Sequence, residues 1–329
     1  MDMQTKIRRY KAVKELYERI NGCKSWFFSP GDLQGFGIQA LQVDVSDEGS
    51  LQFDPCFFRP YPERDLPKYP LDTVRMATVG IEKIRPLNFR PDFDSILRDY
   101  ENTPGIEDPL RSARSRYESI MELTGPDEWA VHATETYMHI QSQLDACRIG
   151  LSPYSSFAYL SSLGRWRTKP TRGDPPTVVG GNRDISWRIE SWQEDGHESL
   201  PNPHAIAALT SDVPANREDG NLTRHEITAI LAIMVIRTRH RPFVSHPIHP
   251  LLLISYTGQK HGRIIQASLH GDQLLLQYSQ LWSFADDETA PVDLFMRYSI
   301  SQLVEIARVE KPNVALGSLV GPIASMNLD

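Results

Sequence analysis

Residues 221–298 constrain what this chain can fold into more than any other stretch. The segment opens NLTRHEITAILAIMVIRTRHRP, with Thr223 and Glu226 at the spacing of a capping box. In that motif each side chain satisfies a backbone donor left free at a helix start. An unbroken apolar run from Ala229 to Ile236 follows, so the helix is expected to be buried on most sides. Arg237, Arg239 and Arg241 gather where the negative end of the helix dipole lies, and Pro242 stops the helix. Three β-like runs come next, the last two joined by a turn at His270-Gly271-Asp272. The block therefore reads as a buried helix over 223–239 feeding a small antiparallel or mixed sheet.

The first half has a different texture. A helix is expected from Thr5 to Ile20, then strand-like runs at Gly37–Val45 and Leu51–Phe58 around the turn Ser46-Asp47-Glu48-Gly49. Prolines crowd 59–91 and imply an extended surface stretch without long helices. Helical pattern returns at 92–100, 108–123 and 127–148. Residues 150–183 are irregular, 185–189 alternate as a strand does, and 193–220 read as polar loop. A last helix is expected from Pro291, ending before Pro312. The fold class is α+β, with helices concentrated in the first half. One domain is expected over 1–329, made of a helical part (1–150), an irregular connection (150–183) and an α/β part (184–329).

Bulk properties narrow the function classes. The 40% hydrophobic and 23% charged residues are ordinary for a globular protein, and no apolar run approaches the ~20 residues that cross a bilayer. The N-terminus is charged throughout and lacks an apolar h-region, so it reads as a helix of the mature protein. Three scattered cysteines suit neither a disulfide framework nor a cysteine-based zinc site. A reduced, cytoplasmic protein is the expectation. A net charge of −7 argues against a nucleic-acid coat. Two local clusters would nonetheless suit a phosphate-bearing partner: Arg165, Arg167, Lys169 and Arg172 around Trp166, and Arg237, Arg239 and Arg241. The alternative is a solvated loop and an ordinary helix C-terminus.

Three constellations could carry chemistry. Glu128, His132, Glu135 and His139 share one face of the helix expected over 127–148, while Trp129, Ala133, Tyr137, Ile140, Leu144 and Cys147 form its apolar stripe. The polar face could bind a divalent metal or relay protons, or could simply be solvated and salt-linked. His240, His246 and His249 cluster too, but Pro247 and Pro250 keep the last two off a helix and no cysteine or carboxylate completes a zinc shell. In the strand 264–270, Ile264, Gln266, Ser268 and His270 alternate with Ile265, Ala267 and Leu269. If the polar face lines a pocket, His261 or His270 could act as acid or base beside Tyr256. The candidate catalytic residues are thus His132, Glu135, His139, Tyr256, His261 and His270. With no GxxxxGK[ST] or GxGxxG, neither an organic cofactor nor a metal is expected.

The block Thr223–Phe284 resembles segments of filamentous-fungal proteins that bring no assigned activity with them. Glu128-Trp129…His132 on a helix, Asp184 opening a strand, and a later helix followed by Pro250-Leu-Leu-Leu-Ile-Ser-Tyr also resemble the order of elements in fungal PD-(D/E)XK nuclease-like proteins. That class places a lysine two residues after an acidic residue on a strand; here Glu190-Ser191-Trp192 has tryptophan. The first expectation for function is a cofactor-independent enzyme of fungal specialised metabolism. It would be of cyclase, isomerase or transferase type, acting on a small, largely apolar molecule. The alternatives are a nucleic-acid- or tRNA-directed protein with a nuclease-like fold, or a non-catalytic scaffold.

Overall fold

A computed structural model describes residues 2–78, 97–98, 100–102, 105–115, 129–151, 159–164, 166–168, 187–195, 202–213, 220–239, 243–244, 246–258, 260–271, 273–286 and 288–304. Its helices are α1 (Met3–Asn21), α2 (Pro30–Gly35), α3 (Thr73–Thr78), α4 (Trp129–Leu144), α5 (Arg224–Arg239) and α6 (Val292–Ser299). The long strands are β2 (Ile38–Gln42), β5 (Trp187–Asp195), β6 (Ala205–Ser211), β8 (Ile248–Thr257), β9 (His261–His270) and β10 (Gln273–Tyr278). Short ones are β1 (Phe27–Phe28), β3 (Phe58–Arg59), β4 (Trp166–Thr168), β7 (Leu222–Thr223), β11 (Trp282–Ser283) and β12 (Gln302–Leu303). The architecture is α+β, as the sequence pattern indicated, with helices mainly in the first half around one mixed sheet.

The sheet runs β2-β10-β9-β8-β6-β5-β4. Neighbours are antiparallel except β6 with β8 and β10 with β2. The parallel pair β6 and β8 is joined through α5, the crossover that a parallel pair requires. Strand β6 corrects the reading of 193–220 as loop. All seven of its residues, AIAALTS, are buried, because helices cover both faces of the sheet here. Such a strand loses the polar alternation that marks a half-exposed one.

Two apolar layers sandwich the sheet. On one face α1 and α5 pack over Ala205, Ala207, Leu209, Leu251, Leu253, Ile265 and Ala267. On the other, α4 and α6 pack over Ile206, Ala208, Leu252, Ile254, Tyr256 and Ile264. The capping box forms as the spacing predicts: Glu226 N donates to Thr223 Oγ1 at 3.1 Å, and Thr223 N to Glu226 Oε2 at 2.7 Å. Glu226 also pairs with Arg263 of β9 at 3.2 Å inside the core, which ties the start of α5 to the sheet.

The expected strand pairing around Ser46–Gly49 is reduced to a single bridge, Val45 with Leu51. β2 pairs in parallel with β10 instead, and 51–57 crosses β9 and β10 as a strap. Phe57 N donates to the Gln266 side chain and Asp54 N to that of Gln277. Both amides donate back, to the carbonyls of Pro55 and Asp54. The proline-dense stretch contains a 3-10 turn at Glu63–Lys68 and the short α3, up to residue 78. The final helix begins at Val292, just after Pro291, and is followed by β12. Among the described residues, no helix is long and apolar enough to cross a membrane.

Candidate functional site

β5 builds the most distinctive place on the sheet through an irregularity. Its pairing with β6 shifts between Ile189 and Ser191, so Glu190 is an extra residue on the strand. Such a bulge reverses the side-chain alternation beyond it. Trp187, Ile189 and Trp192 therefore all enter the layer beneath α5, whereas Ser191 and Gln193 face α4. The Glu190 carboxylate is held by Thr210 Oγ1 at 2.7 Å and by Arg188 at 2.7 Å.

Opposite the bulge, α4 lays its expected apolar stripe on the sheet. Ala133, Ile140 and Leu144 are buried there, and Tyr137 meets Tyr256 edge-on with ring centroids 5.9 Å apart. Cys147, expected on the same stripe, lies past the end of α4 and packs with Met76 and Ala146 instead, and the Trp129 side chain is outside the described residues. A cleft of about 40 Å³ remains between α4, β5, β6 and β8. A water needs ~10–15 Å³ of such space, so there is room for about three. Its polar groups are Tyr137, Gln141, Ser161, Ser191, Gln193 and Tyr256, with Ser299 at the end of α6; Ile140, Leu144, Ile206, Ala208, Ile254 and Ile300 supply the apolar wall.

Hydrogen bonds order this lining. Asp145 accepts from Gln141 Nε2 at 2.6 Å and from Ser161 Oγ at 3.1 Å, fixing both residues at the cleft. Tyr137 and Ser191 both line the cleft, near enough for the serine hydroxyl to influence the phenol. Burial raises the Tyr137 phenol above its ordinary range, Ser191 opposes the shift, and the Glu190 and Asp145 charges add to it. Tyr256 is raised well above its ordinary range by burial, with Tyr137 adding to the effect. Both phenols therefore keep their protons at neutral pH and offer O–H donors.

The residues singled out from sequence are spread more widely. Tyr256 lies in the cleft. Glu135 is half-buried and His139 buried on α4, while Glu128 and the side chain of His132 lie outside the described residues. His261 and His270 sit at opposite ends of β9, about 30 Å apart at ~3.4 Å per residue. His270 contacts Ser268 Oγ at 3.0 Å and the ring of Phe57, and burial lowers its pKa, with Arg9 adding to the effect. The polar face of β9 is covered at Gln266 by the strap. Sequence reasoning missed Ser191, Gln193 and Tyr137. The signal for the first two was present: apolar residues at 187, 189 and 192 change spacing from two to three, which is what a bulge does to a strand.

The arginine cluster at the end of α5 is split between core and surface. Arg237 is fully buried, bonded to Glu194 at 2.6 Å and stacked over Phe243, so it serves the core and not a surface. Arg239 is exposed and lies over the Tyr10 ring; Arg241 is outside the described residues. Of the other cluster, Arg165, Lys169, Arg172 and the Arg167 side chain are likewise outside them. His249 is buried with Nε2 3.0 Å from the Phe243 carbonyl, the His246 carbonyl accepts from Arg9, and His240 is outside the described residues. Among the described residues, no group of three or more His, Cys, Asp or Glu side chains stands together to hold a metal.

No protein-family model, curated protein or solved structure matches the chain.

Proposed function

We propose that this chain is a small-molecule enzyme working without an organic cofactor, and that the reacting group of its substrate sits in the cleft between α4 and β5–β6–β8. The bulge in β5 carries the reading: it turns Ser191 and Gln193 toward Tyr137 and Tyr256, where a regular strand of this length would turn them away. Bulges that re-aim side chains recur beside active sites. Two protonated phenols on this wall can donate to an oxygen that gains negative charge during an isomerase- or cyclase-type step. One such preorganised donor is worth roughly 10²–10³ in rate. The bulk of the substrate would lie outside the 40 Å³ interior, at the mouth.

The test compares metabolite profiles of the source organism in three strains: without the gene, with the native gene, and with Tyr137→Phe/Tyr256→Phe. A compound lost on deletion, restored by the native gene and not by the double variant is the expected result. Identical profiles with and without the gene reject the enzyme reading. A compound restored equally by the double variant moves the chemistry away from this cleft.

One observation favours a second reading. Helix α4, strand β5, helix α5 and strand β8 follow one another in the order that the nuclease-like resemblance implies, with α4 and α5 on opposite faces of the sheet. Trp192 stands where that class has lysine, and its ring enters the core, so the reading is of nucleic-acid binding without hydrolysis. A binding constant for RNA that falls steeply with salt supports it, and no binding at low salt rejects it.

A further inference from the structure

The cleft has a chemical preference that the enzyme reading does not specify. Among the described residues, its lining contains no Lys, Arg, His, Asp or Glu. The fixed charges beside it are the carboxylates of Asp145 and Glu190. Both carboxylate oxygens of Asp145 accept, one from Gln141 and one from Ser161, and Glu190 is held between Arg188 and Thr210. An anion entering this space would give up its hydration, meet no counter-charge in that lining and lie near both carboxylates, whose charges reach Tyr137. That costs several kcal/mol per ion in real proteins, so anionic occupants are excluded on energetic grounds.

The hydrogen-bonding capacity that remains is of both kinds. Gln141 commits one N–H to Asp145 and keeps its second N–H and its carbonyl oxygen, while Ser161 commits its O–H and keeps its lone pairs. Tyr137 and Tyr256 are protonated at neutral pH, as phenols are, and supply O–H groups. Ser191 and Gln193 can donate or accept. An uncharged occupant that both accepts and donates satisfies more of this lining than one that does only one of the two, within about three heavy atoms' space at ~10–15 Å³ each.

We propose that the cleft binds a small uncharged amide group, its carbonyl oxygen toward Tyr137 and Tyr256 and its N–H toward Gln141 and Ser161. This rests on the cleft being the functional site, and it names the part of the substrate that enters. A carboxylate of the same shape would lack the N–H donors and bring a buried negative charge. An alkylammonium would lack the acceptor and leave both phenols without a partner.

The experiment is a methyl-detected NMR titration of the full chain, read at Ile140, Ile206 and Ile254, whose side chains line the cleft. The probes are acetamide, acetate and ethylammonium at matched ionic strength. Acetamide is expected to shift these methyls saturably, with acetate and ethylammonium at least about tenfold weaker, a gap of ~1.4 kcal/mol. Ala208→Leu, which fills the wall, should abolish the acetamide shifts while the remaining spectrum reports an intact fold. Acetate or ethylammonium binding as well as acetamide overturns the proposal, and so does the absence of any saturable shift. Either result leaves the metabolite comparison standing, so failure of the amide preference is separable from failure of the enzyme reading.

Discussion

The two faces of the sheet solve opposite problems with the same strands. Under α1 and α5 the layer is closed, and the charges inside it are paired: Arg237 with Glu194, and Arg263 with Glu226. Arg9 enters the same region and donates to the carbonyls of His246, Pro247 and Leu269. Under α4 and α6 the layer is aromatic, built from residues such as Phe58, Tyr256, Phe284, Phe295 and Tyr298, and it stops short of closure beside the β5 bulge. Buried charge serves the closed face as internal ties between helix and sheet. The described lining of the cleft carries hydroxyls and amides instead. A polar group in a core is thus no pointer to function by itself; what separates the faces is whether its partners are fixed or replaceable.

Acid should break the closed face first. His225 and His249 are buried there, and His204 packs on Phe57 and Phe58 of the aromatic layer while its carbonyl accepts from Arg237. Burial lowers His204, His225 and His249 to about 4, 3 and 2, with Arg237, Arg224 and Arg9 respectively adding to the effect. In the unfolded chain each titrates near 6.5. Between these values the unfolded state holds more protons than the folded one, so stability is full above pH 6.5 and falls as pH drops. With three such groups the slope approaches roughly 4 kcal/mol per pH unit between pH 6 and 4. Urea midpoints at pH 7.5, 6 and 5 check this, and a midpoint constant from 7.5 to 5 would show that these imidazoles are not held neutral.

Next in size is Arg237→Met. It leaves Glu194 as an uncompensated carboxylate in the core, and breaking one partner of a buried pair costs ~3–5 kcal/mol. Adding Glu194→Gln should recover a large part of that loss. Equal instability of the single and double variants in denaturant titration would mean that packing over Phe243, and not charge, is what Arg237 supplies.

How much of this was legible in the sequence follows contact range and the number of covered faces. The start of α5 was readable because Thr223 and Glu226 act within one turn. The stripe of α4 was readable because Ala133, Ile140 and Leu144 repeat on one face. β6 was not, since Ala205–Ser211 is covered on both faces and so short an apolar run carries no period. The partner of β2 was hidden for another reason. Ile38–Gln42 pairs with a strand more than 200 residues away, while a nearer run around a turn offered itself. Gln266 looked like part of a polar face open to a pocket; only the strap across it shows that its amide, with that of Gln277 on the next strand, completes the strap's backbone hydrogen bonds. The cleft depends on one extra residue, Glu190, whose signature is a three-residue gap between Ile189 and Trp192.

Adjacent residues of β8 sharpen the contrast between faces. Leu253 points beneath α5 and Ile254 into the cleft wall, and both are buried. Leu253→Ala opens a void in a closed layer, in the range of ~2–5 kcal/mol for such truncations. Ile254→Ala enlarges an existing cleft with room for water, so it should fall near the lower end of that range. Equal losses in chemical denaturation would show the cleft to be as tightly packed as the closed face.

The smallest expected effects come from removing one oxygen on each face. Tyr278 Oη donates to the Gly220 carbonyl at 2.7 Å on the closed side. Tyr278→Phe deprives that carbonyl of its donor, and a lost hydrogen bond of this kind costs about 0.5–1.5 kcal/mol. Tyr137 lies near Ser191 in the lining of a cleft with room for water. A water can take the place of the lost phenol, so Tyr137→Phe should cost less than about 0.5 kcal/mol. The pair of substitutions removes the same atom from the same residue type, so packing differences largely cancel. Their denaturation midpoints should then differ in that order. A Tyr137→Phe variant as unstable as Tyr278→Phe would mean that this phenol holds α4 on the sheet, and its place in the cleft would be structural.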